Sequence, residues 1–236
     1  MAHPVVPEWT GDLAQLQDIQ AALARQVVIR DDFPRPVRSV AGFHVRAWPG
    51  DANDPDDSEG FVEAAVVLLD ADSLQTIATG VHRERARMPY LRGFRSFREL
   101  PAMLAALAQL PARPDMTLVP AHGLAHPRRL GLASHLGLAA DLPTIGVAQR
   151  VLLGHSSTTL HDMRGAFTTL RDERQQVGWL LRSQVGHEPL AVSPGHRVAL
   201  PSAPELVMRW VVGHRLPEPL RLAELLLEHV PHGQTP

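Results

Sequence analysis

The chain contains no cysteine and no lysine in its 236 residues, and only one tyrosine. Without cysteine it has no disulfide, within the chain or to a partner, no thiolate zinc site and no cysteine nucleophile. Without lysine, any reaction step that needs a side-chain amine is unavailable. All 23 basic side chains are therefore arginines, and the formal net charge is −2. A nearly neutral chain can still bind an anionic partner, because a local patch of charge is sufficient.

Long apolar runs are also missing. No stretch approaches the length needed to cross a bilayer, and residues 1–10 carry charge and two prolines instead of an apolar signal core. The sequence thus predicts no membrane contact and favours the cytoplasm. With 44% apolar residues, the length suits one large domain. We expect an N-terminal helix and connector over residues 1–36, a core over 37–230 and a tail over 231–236.

Hydrophobic periodicity divides the chain into alternating elements. Helices are predicted over residues 9–26, 97–110, 127–140, 203–212 and 219–228. Strands are predicted over 38–47, 62–69, 75–83, 116–119, 144–148, 165–170 and 177–182, and loops over the acidic stretch 50–60 and over 192–196. An early hairpin followed by interleaved strands and helices predicts an α/β fold, with a mixed sheet flanked by helices on both faces.

Arginines are concentrated between residues 83 and 98. Arg83, Arg85 and Arg87 alternate at the strand period, so an extended strand would project them from one face. Further arginines then follow, at positions 92, 95 and 98, interleaved with aromatic residues at 90, 94 and 97. This mixture suits phosphate contacts and base stacking, although Phe94 and Phe97 are more simply explained as core residues. Taken together, the arginines favour an anionic partner.

The segment 122–131, HGLAHPRRLG, follows a short apolar strand. It resembles the signature of the endonuclease V family, in which an aspartate begins the run D-G-x-G-L-A-H-P-R. Further blocks occur in the family's order, at residues 40–42, 89–90, 97–101, 142–148, 192–196 and 216–219. The resemblance covers most of the chain and is specific because seven blocks keep their order.

The resemblance implies an RNase H-like fold and an enzyme that cuts DNA or RNA near inosine, using a divalent metal such as Mg²⁺ or Mn²⁺. Tyr90 matches the tyrosine of the family's P-Y-I-P-G wedge, which fills the gap left by a base turned out of the stack. His126 matches a residue near the flipped base. The implied nucleic-acid contacts are Tyr90, Gly93, Gly123 and His126, together with Arg85, Arg87 and Arg92.

The family's metal positions are largely replaced in this chain. The first-strand aspartate is His44, the signature aspartate is Pro120 and a following lysine is Gln149. The resemblance leaves Glu99 and Glu224 as acidic candidates. A hard cation needs two or three converging carboxylates, so this set predicts a degenerate site and doubtful metal binding.

Three hypotheses follow. The first is a homologue that binds nucleic acid, with inosine as the implied base, without efficient cleavage. The second is an active endonuclease with catalytic residues His44, Glu99 and Glu224, in which His44 and Glu99 hold the metal, since imidazole suits Mn²⁺ better than Mg²⁺. The third is an interaction protein that retains only the fold. The number of replaced ligands favours the first.

Overall fold

A computed structural model describes residues 6–50 and 59–228 of the chain. Most of the predicted acidic loop (50–60) and all of the predicted tail (231–236) lie outside these residues. The strands are β1 (Ser39–Trp48), β2 (Phe61–Asp70), β3 (Thr76–Arg85), β4 (Met116–Val119), β5 (Thr144–Ala148), β6 (Phe167–Asp172), β7 (Gln175–Leu181) and β8 (Leu190–His196). The helices are α1 (Leu13–Ala24), α2 (Arg95–Leu107), α3 (Leu132–Ala140), α4 (Ser202–Arg209) and α5 (Glu218–Glu228).

Within these residues the strands form one mixed sheet in the order β3-β2-β1-β4-β5-β8-β7-β6. The first three strands form an antiparallel meander, and β4 and β5 run parallel to β1. Three antiparallel strands then complete the sheet. The parallel strands β1, β4 and β5 therefore end at the same edge, which is where open α/β sheets usually bind ligands.

Helices cover both faces of the sheet, as the sequence predicted. Val40 belongs to a buried cluster with residues of α4 and α5, whereas its neighbour Ala41 belongs to a cluster with residues of α2 and α3. Successive strand residues point to opposite faces, so β1 contributes to both cores. No helix of the described residues is long and apolar enough to cross a membrane.

The helix predicted over residues 127–140 begins only at Leu132. Residues 120–131 instead form an irregular loop, in which the Gly131 N–H donates to the Gly123 carbonyl and Arg129 adopts a positive φ of 57°. An αR run through Arg129 is impossible at that φ. The hydrogen bond that closes this loop joins residues eight positions apart, and the apolar pattern of the sequence does not predict it.

The predicted loop over residues 192–196 is also wrong, because these residues complete strand β8. Pro194 lies opposite Ile145 of β5, next to a shift in register, and pairing with β7 ends at Val192. A proline is tolerated there because the irregular pairing requires no N–H from it. The Pro194 carbonyl instead accepts a hydrogen bond from the Leu124 N–H at 2.8 Å.

Candidate nucleic-acid interface

The strand register brings the predicted metal positions together at the ends of the parallel strands. Val40 pairs with Met116 and Gly42 with Leu118, so His44 lies level with Pro120. Gln149 follows the last residue of β5. A cavity of about 410 Å³ opens here, and we call it the strand-end cavity. Its lining includes His44, Arg95, Pro120, His122, Gln149, Arg150 and Glu224.

Glu99 does not line the strand-end cavity. Its carboxylate is buried within α2, and the Nε atom of Arg95, one turn earlier, donates to its Oε1 at 2.5 Å. Its Oε2 is also buried and has no hydrogen-bond partner in the described part of the chain. Burial raises the pKa of this carboxyl group, and Arg95 opposes that rise. The retained family carboxylate is thus paired with an arginine that separates it from the cavity.

His44 and Glu224 both line the strand-end cavity, and the charge of Glu224 acts on the His44 imidazole. Burial lowers the pKa of His44. Glu224 and, less strongly, Glu228 raise it, whereas Arg46 and, least of all, Arg95 lower it. The Nε2–H of His122 donates a hydrogen bond to the Arg150 carbonyl at 2.9 Å. Among residues 6–50 and 59–228, no three His, Asp or Glu side chains converge to hold a metal ion.

This donor set does not fit a hard divalent cation. One carboxylate is paired with an arginine, one ligand position is a proline, and the guanidinium of Arg95 brings positive charge to the place that a metal would need. The assignment of His44, Glu99 and Glu224 to metal-dependent catalysis stays a prediction.

A second cavity, of about 420 Å³, lies beside the first, and we call it the wedge cavity. Tyr90, Arg92, Gly93, His126 and Arg128 contribute to its lining, and Arg95, Ala121 and His122 line both cavities. Tyr90 is 66% exposed, as a side chain that inserts into nucleic acid requires. The structure therefore brings four of the predicted nucleic-acid contacts, Tyr90, Arg92, Gly93 and His126, together at one cavity, while their role in binding stays a prediction.

A buried arginine fixes the segment that carries Tyr90. Arg98 of α2 donates to the carbonyls of Met88, Trp48 and Glu59 at 2.6, 3.0 and 2.7 Å. Because it is 4% exposed and committed to these carbonyls, Arg98 is not available to an external anion. This corrects the sequence-based grouping of Arg98 with the binding arginines.

His126 is buried at the wedge cavity, 6% exposed. Burial, with a smaller contribution from Arg128, lowers the pKa of His126 to about 4. The imidazole is therefore neutral at physiological pH. Its Nδ1 accepts from the backbone N–H of Arg128 at 3.3 Å, which holds the loop and leaves Nε2 as the second polar atom of the ring. It does not cap a helix, since α3 begins at Leu132.

Gly123 lines neither cavity. It instead allows close packing of the irregular loop formed by residues 120–131, which we call the signature loop. Its N–H donates to the Ser193 hydroxyl at 2.9 Å. A Cβ atom at this position would lie 2.1 Å from the Pro194 carbonyl oxygen. The absence of a side chain therefore lets this loop lie directly on β8, while its proposed approach to a base remains a prediction.

The arginines of β3 lie outside both cavities. Arg83 stacks over the rings of Phe61 and Trp48, with 4.5 and 5.4 Å from its Cζ to the ring centroids, and Arg85 lies 5.6 Å from the Phe61 centroid. Arg87 follows the strand and contacts Glu84 at 3.4 Å. Arg85 and Arg87 are exposed, so they remain candidates for phosphate contact.

Two arginines shape the cavities in ways that the sequence did not predict, although Arg95 was predicted to belong to the cluster that favours an anionic partner. Arg128 donates through Nε to Gln20 of α1 and through Nη2 to the Gly93 carbonyl at 3.2 Å, and it stacks 4.4 Å from the Phe94 centroid. Arg95 pairs with Glu99 as described above. For Arg128 the sequence signal is its place in the run Pro127-Arg128-Arg129, which is part of the segment that resembles the family signature. For Arg95 the sequence signal is its i, i+4 spacing to Glu99, which favours an ion pair on a helix.

Comparison with known proteins gives a consistent result. The family model for endonuclease V matches residues 21–225. Endonuclease V of Azotobacter vinelandii is 47% identical over 220 residues, which cover 93% of this chain and 95% of that protein. The crystal structure of endonuclease V from Streptomyces avermitilis is 35% identical, with a TM-score of 0.81, and the match covers 94% of this chain and 93% of that one. A Ciona intestinalis endonuclease V in complex with a 23mer DNA containing inosine is 22% identical, with a TM-score of 0.73, covering 92% and 96% of the two chains.

Proposed function

The chain belongs to the endonuclease V family and has its RNase H-like fold, and from this premise we propose that it binds inosine-containing DNA or RNA without efficient cleavage. The family is generally dependent on a divalent metal. Binding and cleavage make different demands on the protein, so one can persist when the other declines. The two cavities differ in how well they meet these demands.

The wedge cavity supports recognition of a flipped base. Tyr90 is exposed beside it, and a planar side chain there can fill the gap that an extruded base leaves. Neutral His126 supplies a polar atom with no charge to desolvate, which suits the uncharged edge of a purine. Gly93, with a φ of 85°, and Arg92 lie at the same mouth. The Ciona protein, which shares the fold, was crystallised with DNA that contains inosine.

The observation that best supports the proposed loss of cleavage is the shortage of available carboxylates at the strand-end cavity. Pro120 stands level with His44, so two neighbouring strands end without a carboxylate. Nucleases of this kind use the metal to neutralise charge on the phosphate and to activate water. With Glu99 bound to Arg95, no carboxylate pair is left to hold it.

A specific observation also favours the alternative of an active, remodelled nuclease. Glu99 Oε2 is buried without a partner in the described residues, and such atoms often mark a missing ligand. His44 and Glu224 share the strand-end cavity. A rotation of Arg95 away from Glu99 would expose a mixed histidine and carboxylate site, for which Mn²⁺ is the best candidate.

The test is single-turnover incision of inosine-containing single-stranded and duplex DNA and of RNA, with Mg²⁺ and then Mn²⁺, beside equilibrium binding of the same strands. We expect binding that prefers inosine over guanosine at the same position, and no incision with either metal. The matched control for incision is Glu99→Ala.

Each outcome is decisive between the hypotheses. Incision by the wild type that vanishes in Glu99→Ala would overturn the proposal in favour of the remodelled nuclease. Binding with no preference for inosine, insensitive to salt, would favour the interaction protein that retains only the fold.

A further inference from the structure

The strand-end cavity contains a cation that belongs to the chain itself. Arg95 lines this cavity and the wedge cavity, so it lies at the boundary between them. We propose that Arg95, held in place by Glu99, substitutes for the divalent cation and binds a backbone phosphate directly, without metal. The proposal deepens the proposed function and rests on it for the nucleic acid, while the phosphate chemistry follows from Arg95.

The guanidinium of Arg95 has donors to spare. Its only hydrogen bond within the described residues runs from Nε to Glu99 Oε1, and 41% of the side chain is exposed. The two Nη groups are therefore free to donate. A planar fork of two N–H donors matches two phosphate oxygens, and such bidentate pairs are among the strongest hydrogen bonds in proteins.

Arg98 provides the internal contrast. It lies three residues further along α2, is buried, and gives both Nη groups to backbone carbonyls. Both arginines belong to the same helix, yet only Arg95 presents unpaired Nη groups at a cavity. Arg95 thus has what a phosphate-binding arginine needs, and Arg98 does not.

The charges around Arg95 come from several elements. Glu99 lies on the same helix, His44 on β1, His122 on the signature loop, Arg150 after β5 and Glu224 on α5. An incoming phosphate would meet two arginines and one facing carboxylate. An incoming divalent cation would meet the same two arginines and could gain only from the Glu224 carboxylate, since Glu99 already accepts from Arg95. The cavity is consequently better suited to an anion than to a metal.

This assigns Glu99 a role different from the one implied by the family resemblance. Its Oε1 fixes Nε of Arg95 and orients the guanidinium plane, so that Glu99 acts as a positioning residue for Arg95. A carboxylate oxygen that accepts from an arginine at 2.5 Å is a poorer ligand for a metal, because the neighbouring guanidinium repels the cation. The two roles predict opposite responses to neutralising Glu99.

The experiment measures the Kd of a labelled inosine-containing oligonucleotide by fluorescence anisotropy, in EDTA and in Mg²⁺ or Mn²⁺, over a range of salt. For the wild type we expect a Kd in EDTA within about twofold of the value with metal, since Arg95 needs no metal to donate. Arg95→Ala should weaken binding about tenfold, as loss of a charged hydrogen bond does. It should also reduce the salt slope by about one counterion.

Two further variants keep the test decisive. Removing Arg95 alone leaves buried Glu99 unpaired, so the double variant Arg95→Met, Glu99→Gln removes both charges and should bind as weakly as Arg95→Ala. Glu99→Gln alone keeps a side-chain oxygen that can accept from Nε of Arg95 and removes the negative charge beside it, so binding in EDTA should become tighter than in the wild type. Loss of a metal ligand would instead weaken metal-dependent binding. Arg38→Ala is the matched control, because this exposed arginine precedes β1 by one residue and lies six residues from His44, roughly 20 Å along an extended strand.

The outcomes separate this inference from the proposed function. If the wild type does not prefer inosine, the proposed function fails, and Arg95→Ala against Arg38→Ala on undamaged DNA still tests phosphate binding. The role of Arg95 would be overturned, and the proposed function would stand, in either of two cases. In the first, inosine-selective binding requires metal; in the second, Arg95→Ala weakens binding no more than Arg38→Ala does. Weaker binding by Glu99→Gln in Mn²⁺ would return Glu99 to the metal.

Discussion

The wedge cavity and the strand-end cavity share a wall, but they differ in which family residues they retain. By the family resemblance, Tyr90, Gly93 and His126 at the first cavity match family residues, whereas His44 and Pro120 at the second stand where the family has aspartates. Recognition of a base needs shape, one stacking ring and a few neutral polar atoms. Metal chemistry needs several carboxylates at once, so the loss of one undermines the rest. Under the proposed function, this difference would allow binding to persist without cleavage within one fold.

The largest expected effect comes from rebuilding the strand-end cavity. The triple variant His44→Asp, Pro120→Asp and Arg95→Met places two carboxylates on neighbouring strand ends and releases Glu99 from its ion pair. Metal catalysis contributes several kcal/mol, so we expect Mn²⁺-dependent incision to rise at least about a hundredfold over the parent chain. Single-turnover incision measures it.

The control for this rebuilding is the same triple variant with Glu99→Gln added. Loss of the gained incision in that control would attribute it to the three carboxylates. The triple variant could instead bind Mn²⁺ and inosine-containing DNA but cut no faster than the parent chain. That result would contradict the hypothesis that the residues at positions 44, 95 and 120 alone account for the lack of incision.

The next effect concerns the loop that both cavities share. Gly123→Ala would put a Cβ atom 2.1 Å from a backbone oxygen of β8, and neither backbone segment can move freely. We expect the free energy of unfolding to fall by about 3 kcal/mol, in the range of overpacked buried sites. Chemical denaturation measures this loss.

Gly165→Ala is the matched control for space, since no atom lies within 4 Å of the position where its Cβ would be. Its φ of 87° adds backbone strain of its own, so a similar loss in both variants would show that packing against β8 is not what requires glycine at position 123. Nucleic-acid binding should weaken in Gly123→Ala only as far as the loop shifts.

A pH dependence distinguishes the neutral wedge cavity from its charged neighbour. Because the pKa of His126 is about 4 in the folded chain and 6.5 as a reference, the unfolded chain holds the extra proton between these values. Stability is therefore fully present above about pH 6.5 and falls as the pH drops toward 4. The contribution of His126 is about 3 kcal/mol, from roughly two and a half pKa units at 1.36 kcal/mol each.

His126→Gln should flatten this slope, as measured by the free energy of unfolding at several pH values. The pKa values of His44, His122 and His196 are also lowered by burial, so the wild type and the variant share their slope and only the difference between them reports on His126. Identical slopes in the two proteins would mean that His126 is charged or accessible in solution.

Local sequence signals determined much of the fold. Strands β4 and β5 were predicted to the residue, because each is a short apolar run with a proline just before or after it. The start of α3 and the strand character of Pro194 were not, since both depend on the signature loop closing against β8. Long-range contacts of this kind leave little trace in local periodicity.

The candidate site divides in the same way. The family motif placed Tyr90 and His126 at one cavity, since motif residues keep their positions on shared elements. The role of Arg95 depends on which way its side chain turns from the first residue of α2, toward solvent or toward Glu99. The i, i+4 spacing makes the pair with Glu99 possible, but packing around the buried carboxylate decides between the two orientations, and packing leaves no local pattern in the sequence.

The smallest effect is expected at Tyr90, and it separates recognition from stability. The ring is 66% exposed, so Tyr90→Ala should leave the free energy of unfolding within about 0.5 kcal/mol of the wild type. Stacking on a base contributes about 1 to 3 kcal/mol, so binding of inosine-containing DNA should weaken roughly tenfold. Tyr90→Phe keeps the ring and should bind almost as well as the wild type. An unchanged Kd for Tyr90→Ala would remove the wedge from recognition, and both cavities would then have lost the family's chemistry.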